Sequence, residues 1–143
     1  MKKLPKTILV AEDDPNDVHL MELAAQKVAC PNVSFQIVRD GEEAVAYLKG
    51  EAPFEDRRKH PLTDLVLLDV RMPRLDGFQV LDWIRNAPGL KKLKVFVWAD
   101  SQFDADVQKA TRGGADRIIP KPNDIIKLRE ILRDISNLLT QGE

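Results

Sequence analysis

Three carboxylates and one lysine stand where runs of apolar residues stop. Glu12 and Asp13 end "KTILVAED", Asp69 ends the apolar part of "LVLLDVRMPRLDG", and Lys121 lies in "DRIIPKP". Two carboxylates about 4 Å apart repel by about 1 kcal/mol in water and about 4 kcal/mol at a protein-surface dielectric. Three of them sharing a cleft therefore call for a cation. Oxygen donors with no His or Cys grouped beside them favour a hard divalent ion, Mg²⁺ above all, which keeps several of its waters. With a lysine added, the set suits phosphoryl chemistry. Asp69 would be the nucleophile, and Mg²⁺ and Lys121 would neutralise the transferring oxygens.

That chemistry requires the four residues to share one edge of a fold, and the sequence between them supplies the elements. "KTILVAED" has strand length. Asp14 then reads as a helix cap, Pro15 suits the first helical position and Asp17 the positive helix end. That helix runs to about Val28, with Val18, Met21, Ala25 and Val28 on one face. "VSFQIV" alternates Val33, Phe35 and Ile37 with polar residues, as a half-exposed strand does, and "DGEEAVAYLKG" is a short helix stopped by Gly50. "TDLVLLDV" is apolar throughout and so covered on both faces.

Asp76 reads as a turn residue before a helix over 78–86, with Phe78, Leu81 and Ile84 at helical spacing. "LKVFVWA" is the next strand, and "SQFDADVQKATRGG" a helix thin in apolar residues, closed by Gly113. After the short strand "DRIIPKP", Asn123 is expected to cap a strongly amphipathic helix whose Ile125, Leu128, Leu132, Ile135 and Leu139 share a face. Five strands alternating with five helices predict an α/β fold with a parallel sheet covered on both sides. Right-handed crossovers favour the flavodoxin-like, doubly wound order 2-1-3-4-5. Ligands bind beyond the carboxyl ends of such strands where the order reverses, here between the first and third strands.

The chain has 143 residues, one domain's worth, with 43% hydrophobic and 31% charged residues. A net charge of −1 gives no bulk attraction to nucleic acid or an anionic membrane, and neither is expected as a partner. "EDRRKH" and "KKLK" read as solvated surface, and His19 and His60 as isolated surface residues. "MKKLPKT" is not followed by a signal-peptide core, and no apolar run approaches the roughly 20 residues of a membrane span. The single cysteine, Cys30, suits a reducing compartment, so a cytoplasmic location is expected. A single domain over 1–143, core about 6–139, with no output domain is the expected organisation.

"ILVAEDD", "LVLLDVRMPRLDG" and "IIPKP" together resemble the three signature segments of the receiver domains of two-component response regulators, over about residues 6–139. The resemblance implies a phosphoprotein that accepts a phosphoryl group from a sensor histidine kinase or phosphotransfer protein on Asp69. It implies Mg²⁺ held by Asp13, Asp69 and the backbone carbonyl of Arg71, with Glu12 acting nearby and Lys121 holding a phosphoryl oxygen. It also implies a cis Lys121–Pro122 bond. Such a protein is a signalling module rather than an enzyme, with chemistry limited to its own phosphorylation and dephosphorylation. It acts on a downstream protein or a second copy of itself through the face made by helix four, strand five and helix five. The connector "GEAPFEDRRKHPLT" looks like that of stand-alone receivers paired with phytochrome-type kinases.

Two positions depart from the family pattern. Where the family has Ser or Thr at the end of strand four, "VFVWADSQ" is read as placing Trp98, whose indole N–H cannot mimic a small hydroxyl. It would crowd the pocket, cover its mouth, or turn into a hydrophobic contact. The family's aromatic switch position in strand five is read as Ile118. A receiver-like scaffold that works without phosphorylation is therefore the competing reading. Arg71 and Asp100, two residues beyond Asp69 and Trp98, are expected to flank the site and pair. A phosphatase of the haloacid dehalogenase kind would want an acid where Arg71 stands, and a flavodoxin a Ser/Thr-rich loop after strand one.

Overall fold

The computed structural model describes residues 5–28, 32–99 and 104–141. Five strands, β1 (Lys6–Ala11), β2 (Val33–Val38), β3 (Leu65–Asp69), β4 (Lys94–Ala99) and β5 (Arg117–Pro120), alternate with five helices. The helices are α1 (Pro15–Lys27), α2 (Gly41–Lys49), α3 (Gly77–Asn86), α4 (Asp104–Arg112) and α5 (Ile125–Thr140). The sheet is parallel throughout in the order β2-β1-β3-β4-β5, as expected.

Because successive strand side chains point to opposite faces, the apolar runs of β1, β3 and β4 build two cores. Leu9, Val66, Leu68, Val95 and Val97 meet Tyr47 of α2, Val80, Leu81 and Ile84 of α3 and Ala110 of α4. Ile8, Val10, Leu65, Leu67, Phe96 and Trp98 meet Met21 and Ala24 of α1 and Leu128, Leu132 and Ile135 of α5. In α1 it is Ala24 rather than Ala25 that is fully buried, while Ala25 and Val28 pack at the rim of the same core.

The helix starts differ from the sequence reading in two places. Asp76 is the N-cap of α3, not merely a turn residue: it accepts the Gln79 N–H at 2.9 Å while the Gln79 side chain accepts the Asp76 N–H at 3.0 Å. The cap of α5 is Asp124 rather than Asn123, because the helix begins one residue later and the Asp124 carboxylate accepts the Lys127 N–H at 2.8 Å.

The connector between α2 and β3 is packed. Tyr47, Phe54 and His60 pack in tilted and edge-to-face pairs with ring centroids 5.1 to 5.8 Å apart, and the Tyr47 hydroxyl donates to the Pro61 carbonyl at 2.7 Å. His60 is thus part of a small aromatic cluster, not a plain surface residue, and Arg57 donates to the Leu48 and His60 carbonyls. His19 is exposed, and Cys30 lies outside the described residues. No helix among the described residues is long and apolar enough to cross a membrane.

Candidate functional site

β1 and β3 are neighbours with Ala11 level with Leu68, so Glu12 and Asp69 emerge side by side. β5 lies beyond β4, and its end is fixed by the Lys121 N–H donating to the Ala99 carbonyl at 3.0 Å. From there the Lys121 ammonium reaches Glu12 Oε2 at 2.9 Å, Asp17 Oδ2 at 2.9 Å and Asp69 Oδ2 at 3.0 Å. Backbone donors hold the acids in place: the Asp14 N–H donates to Glu12 Oε1 and the Arg71 N–H to Asp69 Oδ1, both at 3.2 Å.

The "LDG" segment contributes by close approach. A Cβ at Gly77 would sit 2.4 Å from the Asp69 carbonyl oxygen and 2.8 Å from Val70 Cα. Only glycine lets α3 begin against the backbone that carries Asp69.

The electrostatics follow from burial. Glu12 is 1% exposed and Asp69 5%. Desolvation, reinforced by the adjacent Asp69 carboxyl and only partly offset by Lys121, pushes Glu12 up to about 8. Burial alone would depress Lys121, but its hydrogen bonds to Glu12, Asp17 and Asp69 outweigh that and hold the ammonium above the ordinary lysine range. One ion thus faces three acids, and the cluster retains an excess of negative charge.

One carboxylate oxygen each from Glu12, Asp13 and Asp69 lie within 4.8 Å of one another. Oxygens placed about 2.1 Å from a common Mg²⁺ lie about 3 to 4 Å apart, so the donor set and its spacing fit a hard divalent cation. Asp13, Asp17, Arg71 and Lys121 border an open cleft of about 630 Å³.

The other sequence-predicted residues are placed as follows. Trp98 is 1% exposed within the α1/α5 core, so it neither covers the cleft mouth nor stands free in it. It does border a small void of about 20 Å³ with Glu12, Asp17 and Lys121, and its indole N–H has no partner among the described residues. The last residue of β4 is Ala99, which is buried, so the strand ends in a methyl group rather than an indole or a hydroxyl. Ile118 is half-buried and packs against the core that contains Val95, Val97 and Ala110 of α4. Lys121–Pro122 is trans; the cis bond among the described residues is Ala52–Pro53. Trans is the default for X–Pro by about 0.5–1 kcal/mol.

Asp100 lies outside the described residues. Among the described residues, the Arg71 guanidinium pairs with Asp106 of α4 at 2.8 Å. Sequence reasoning missed two partners, Asp17 for Lys121 and Asp106 for Arg71. Asp17 was legible only as a favourable charge at the start of α1, and nothing in the local pattern marks Asp106.

Comparison with known proteins agrees with this geometry. The family model described as the response regulator receiver domain matches residues 8–133. Response regulator GtcR of Aneurinibacillus migulanus is 34% identical over 121 residues, 83% of this chain but 43% of GtcR. Response regulator Rcp1 of Synechocystis sp. is 35% identical over 103 residues, 72% of this chain and 67% of Rcp1. The crystal structure of the phosphorylated cyanobacterial phytochrome response regulator RcpA matches with a TM-score of 0.83 at 29% identity, covering 97% of this chain and 96% of that one. The Mn²⁺-bound form of response regulator Rcp1 matches with a TM-score of 0.78 at 28% identity, covering 93% of each chain. A family match over most of the chain, the 2-1-3-4-5 sheet and the acid cluster at its carboxyl edge agree: this protein belongs to the response regulator receiver domain family.

Proposed function

We propose that Asp69 accepts a phosphoryl group from the phosphohistidine of a sensor kinase or phosphotransfer protein. The observation that carries this reading is the convergence of Glu12, Asp13 and Asp69 on one point, with Lys121 3.0 Å from the acceptor carboxylate. An Asp69 carboxylate oxygen attacks phosphorus, the new O–P bond forms as the N–P bond breaks, and the histidine nitrogen keeps the bonding pair. Lys121 holds one phosphoryl oxygen, exchanging part of its contact with Asp69 for the transferred group. The Arg71 N–H, which donates to the second Asp69 oxygen, keeps that carboxyl oriented. Glu12, Asp13, Asp69 and the Arg71 carbonyl would hold Mg²⁺, which when bound supplies positive charge against the oxygens in transfer. The likeness to RcpA supports a phytochrome-type kinase as the class of donor.

A second reading is favoured by one observation: β4 ends in Ala99 and β5 offers Ile118, so neither position has a hydroxyl or an aromatic ring. On that reading the receiver docks constitutively as a scaffold. Titration with beryllofluoride, a phosphoryl mimic, in the presence of Mg²⁺ separates the two. Trp98 fluorescence in a Trp83→Phe background is the readout. A saturable, Mg²⁺-dependent change that vanishes in Asp69→Asn is the expected result. No response from a protein that binds Mg²⁺ would favour the scaffold.

A further inference from the structure

α4 is fastened by charge. Among its described residues 105–112, Ala110 is the one fully buried side chain, and Ala105, Gln108, Lys109, Thr111 and Arg112 are exposed. Two polar contacts reach it across the molecule. The Lys109 ammonium lies 4.5 Å from the ring centroid of Phe78 in α3, and Arg71 Nη2 donates to Asp106 Oδ2 at 2.8 Å.

Arg71 belongs to both ends of this second contact. Its backbone N–H is bonded to Asp69 and its side chain borders the cleft, while its guanidinium holds α4. The guanidinium is 64% exposed and has a single carboxylate partner among the described residues, itself 13% exposed. A bound phosphoryl group brings about −1.5 to −2 charge and three acceptor oxygens. Guanidinium meets such oxygens in paired, charge-assisted bonds about twice as strong as neutral ones. Arg71 therefore joins the acceptor carboxylate, through its backbone N–H, to Asp106, through its side chain, and a phosphoryl group on Asp69 would add a second anion for that side chain to meet.

We propose that the Arg71 guanidinium exchanges Asp106 for the phosphoryl oxygens on Asp69, and that the exchange releases α4 as the element a partner reads. The inference rests on Asp69 being the acceptor. It requires neither a hydroxyl at Ala99 nor an aromatic ring at Ile118. Asp106 is in this account a positioning residue, which acts only through Arg71.

The test is amide hydrogen exchange over 105–112 in the full chain with Mg²⁺, with and without beryllofluoride. The wild type should exchange about two- to fivefold faster in α4 with the mimic bound, the range set by one exposed ion pair. Asp106→Asn should already show the faster exchange without mimic, change little further, and bind beryllofluoride about two- to fivefold more tightly because Arg71 is free. Arg71→Ala should show the same fast exchange in both states but bind the mimic more weakly than wild type. Mimic binding with α4 protection unchanged, or Asp106→Asn binding with wild-type affinity, overturns this inference and leaves the acceptor reading standing. Failure of the wild type to bind the mimic overturns both.

Discussion

α4 and α5 are consecutive helices on either side of β5, and they are attached in different ways. α5 is capped by Asp124 and buries Leu128, Leu132, Ile135 and Ser136 against the sheet and α1. α4 fully buries only Ala110 among its described residues 105–112, and its long-range side-chain polar contacts there are those of Asp106 and Lys109. Burial attaches a helix to whatever surface complements it, and the attachment is indifferent to events at the site. An exposed ion pair contributes little, about 0–1 kcal/mol, but it can exchange one anion for another without opening a cavity. One edge of the sheet thus carries a helix fixed by packing beside a helix whose attachment depends on charge nearby.

The largest effects should fall on α5. Leu132 is fully buried, and Leu132→Ala should cost about 2–5 kcal/mol through lost transfer energy and the cavity left behind. Ala110→Gly, the equivalent insult to α4, should cost about 1 kcal/mol, mainly helix propensity. Urea unfolding of both variants measures the contrast. If Leu132→Ala lost less than Ala110→Gly, the distinction between the two helices would collapse.

A charge contact with one buried partner and one exposed partner should cost no more than the lesser of these. Asp40 is 8% exposed, caps α2 by accepting the Glu43 N–H at 2.7 Å, and pairs with Arg74 of the β3–α3 loop. Burial raises its pKa, but the Glu43 N–H and the Arg74 guanidinium outweigh that and hold it below the ordinary 3.8. A carboxylate depressed on folding adds stability above its unfolded pKa and loses it as pH falls through the folded value. Asparagine caps as well as aspartate, so Asp40→Asn isolates the ion pair. The variant should lose about 0.5–1 kcal/mol at pH 7, with the gap to wild type closing below about pH 4. A gap independent of pH would assign the loss to packing.

The sheet order and the acid cluster were legible because their signals are local. β1 and β3 are apolar runs of strand length, and the acids stand at their ends, so topology alone brings Glu12, Asp13 and Asp69 together. The α4 contacts were not legible for the opposite reason. Arg71 and Asp106 are 35 residues apart, and an exposed arginine has several acids within reach. The sequence reading paired it with Asp100, which lies outside the described residues, and did not find Asp106, six residues further along. Trp98 was read from its place near the end of β4. Strand alternation decides otherwise: Phe96 and Trp98 face α1 and α5, and the strand closes with Ala99. Asp17 looked like a helix-end residue and Asp76 like a turn residue. Asp76 proved to cap α3, and Asp17 also meets a lysine that arrives from the other end of the chain.

The smallest predicted effect discriminates most finely within α4. Lys109 is exposed beside a half-buried Phe78, and removing the contact with Lys109→Ala should cost no more than about 0.5–1 kcal/mol. Neither residue touches the carboxylate cluster, so faster exchange over 105–112 in this variant should be the same with and without beryllofluoride, apart from the increment that Arg71 supplies. Combining Lys109→Ala with Asp106→Asn then asks whether α4 has two independent fastenings or one. Contacts that share no partner add to within about 0.3–0.5 kcal/mol, so independent fastenings predict multiplied rates in the double variant. A double variant no faster than Asp106→Asn alone would mean that α4 opens as a unit once the Arg71 contact goes. In that case the cation–π contact is a consequence of α4 being docked rather than a reason for it.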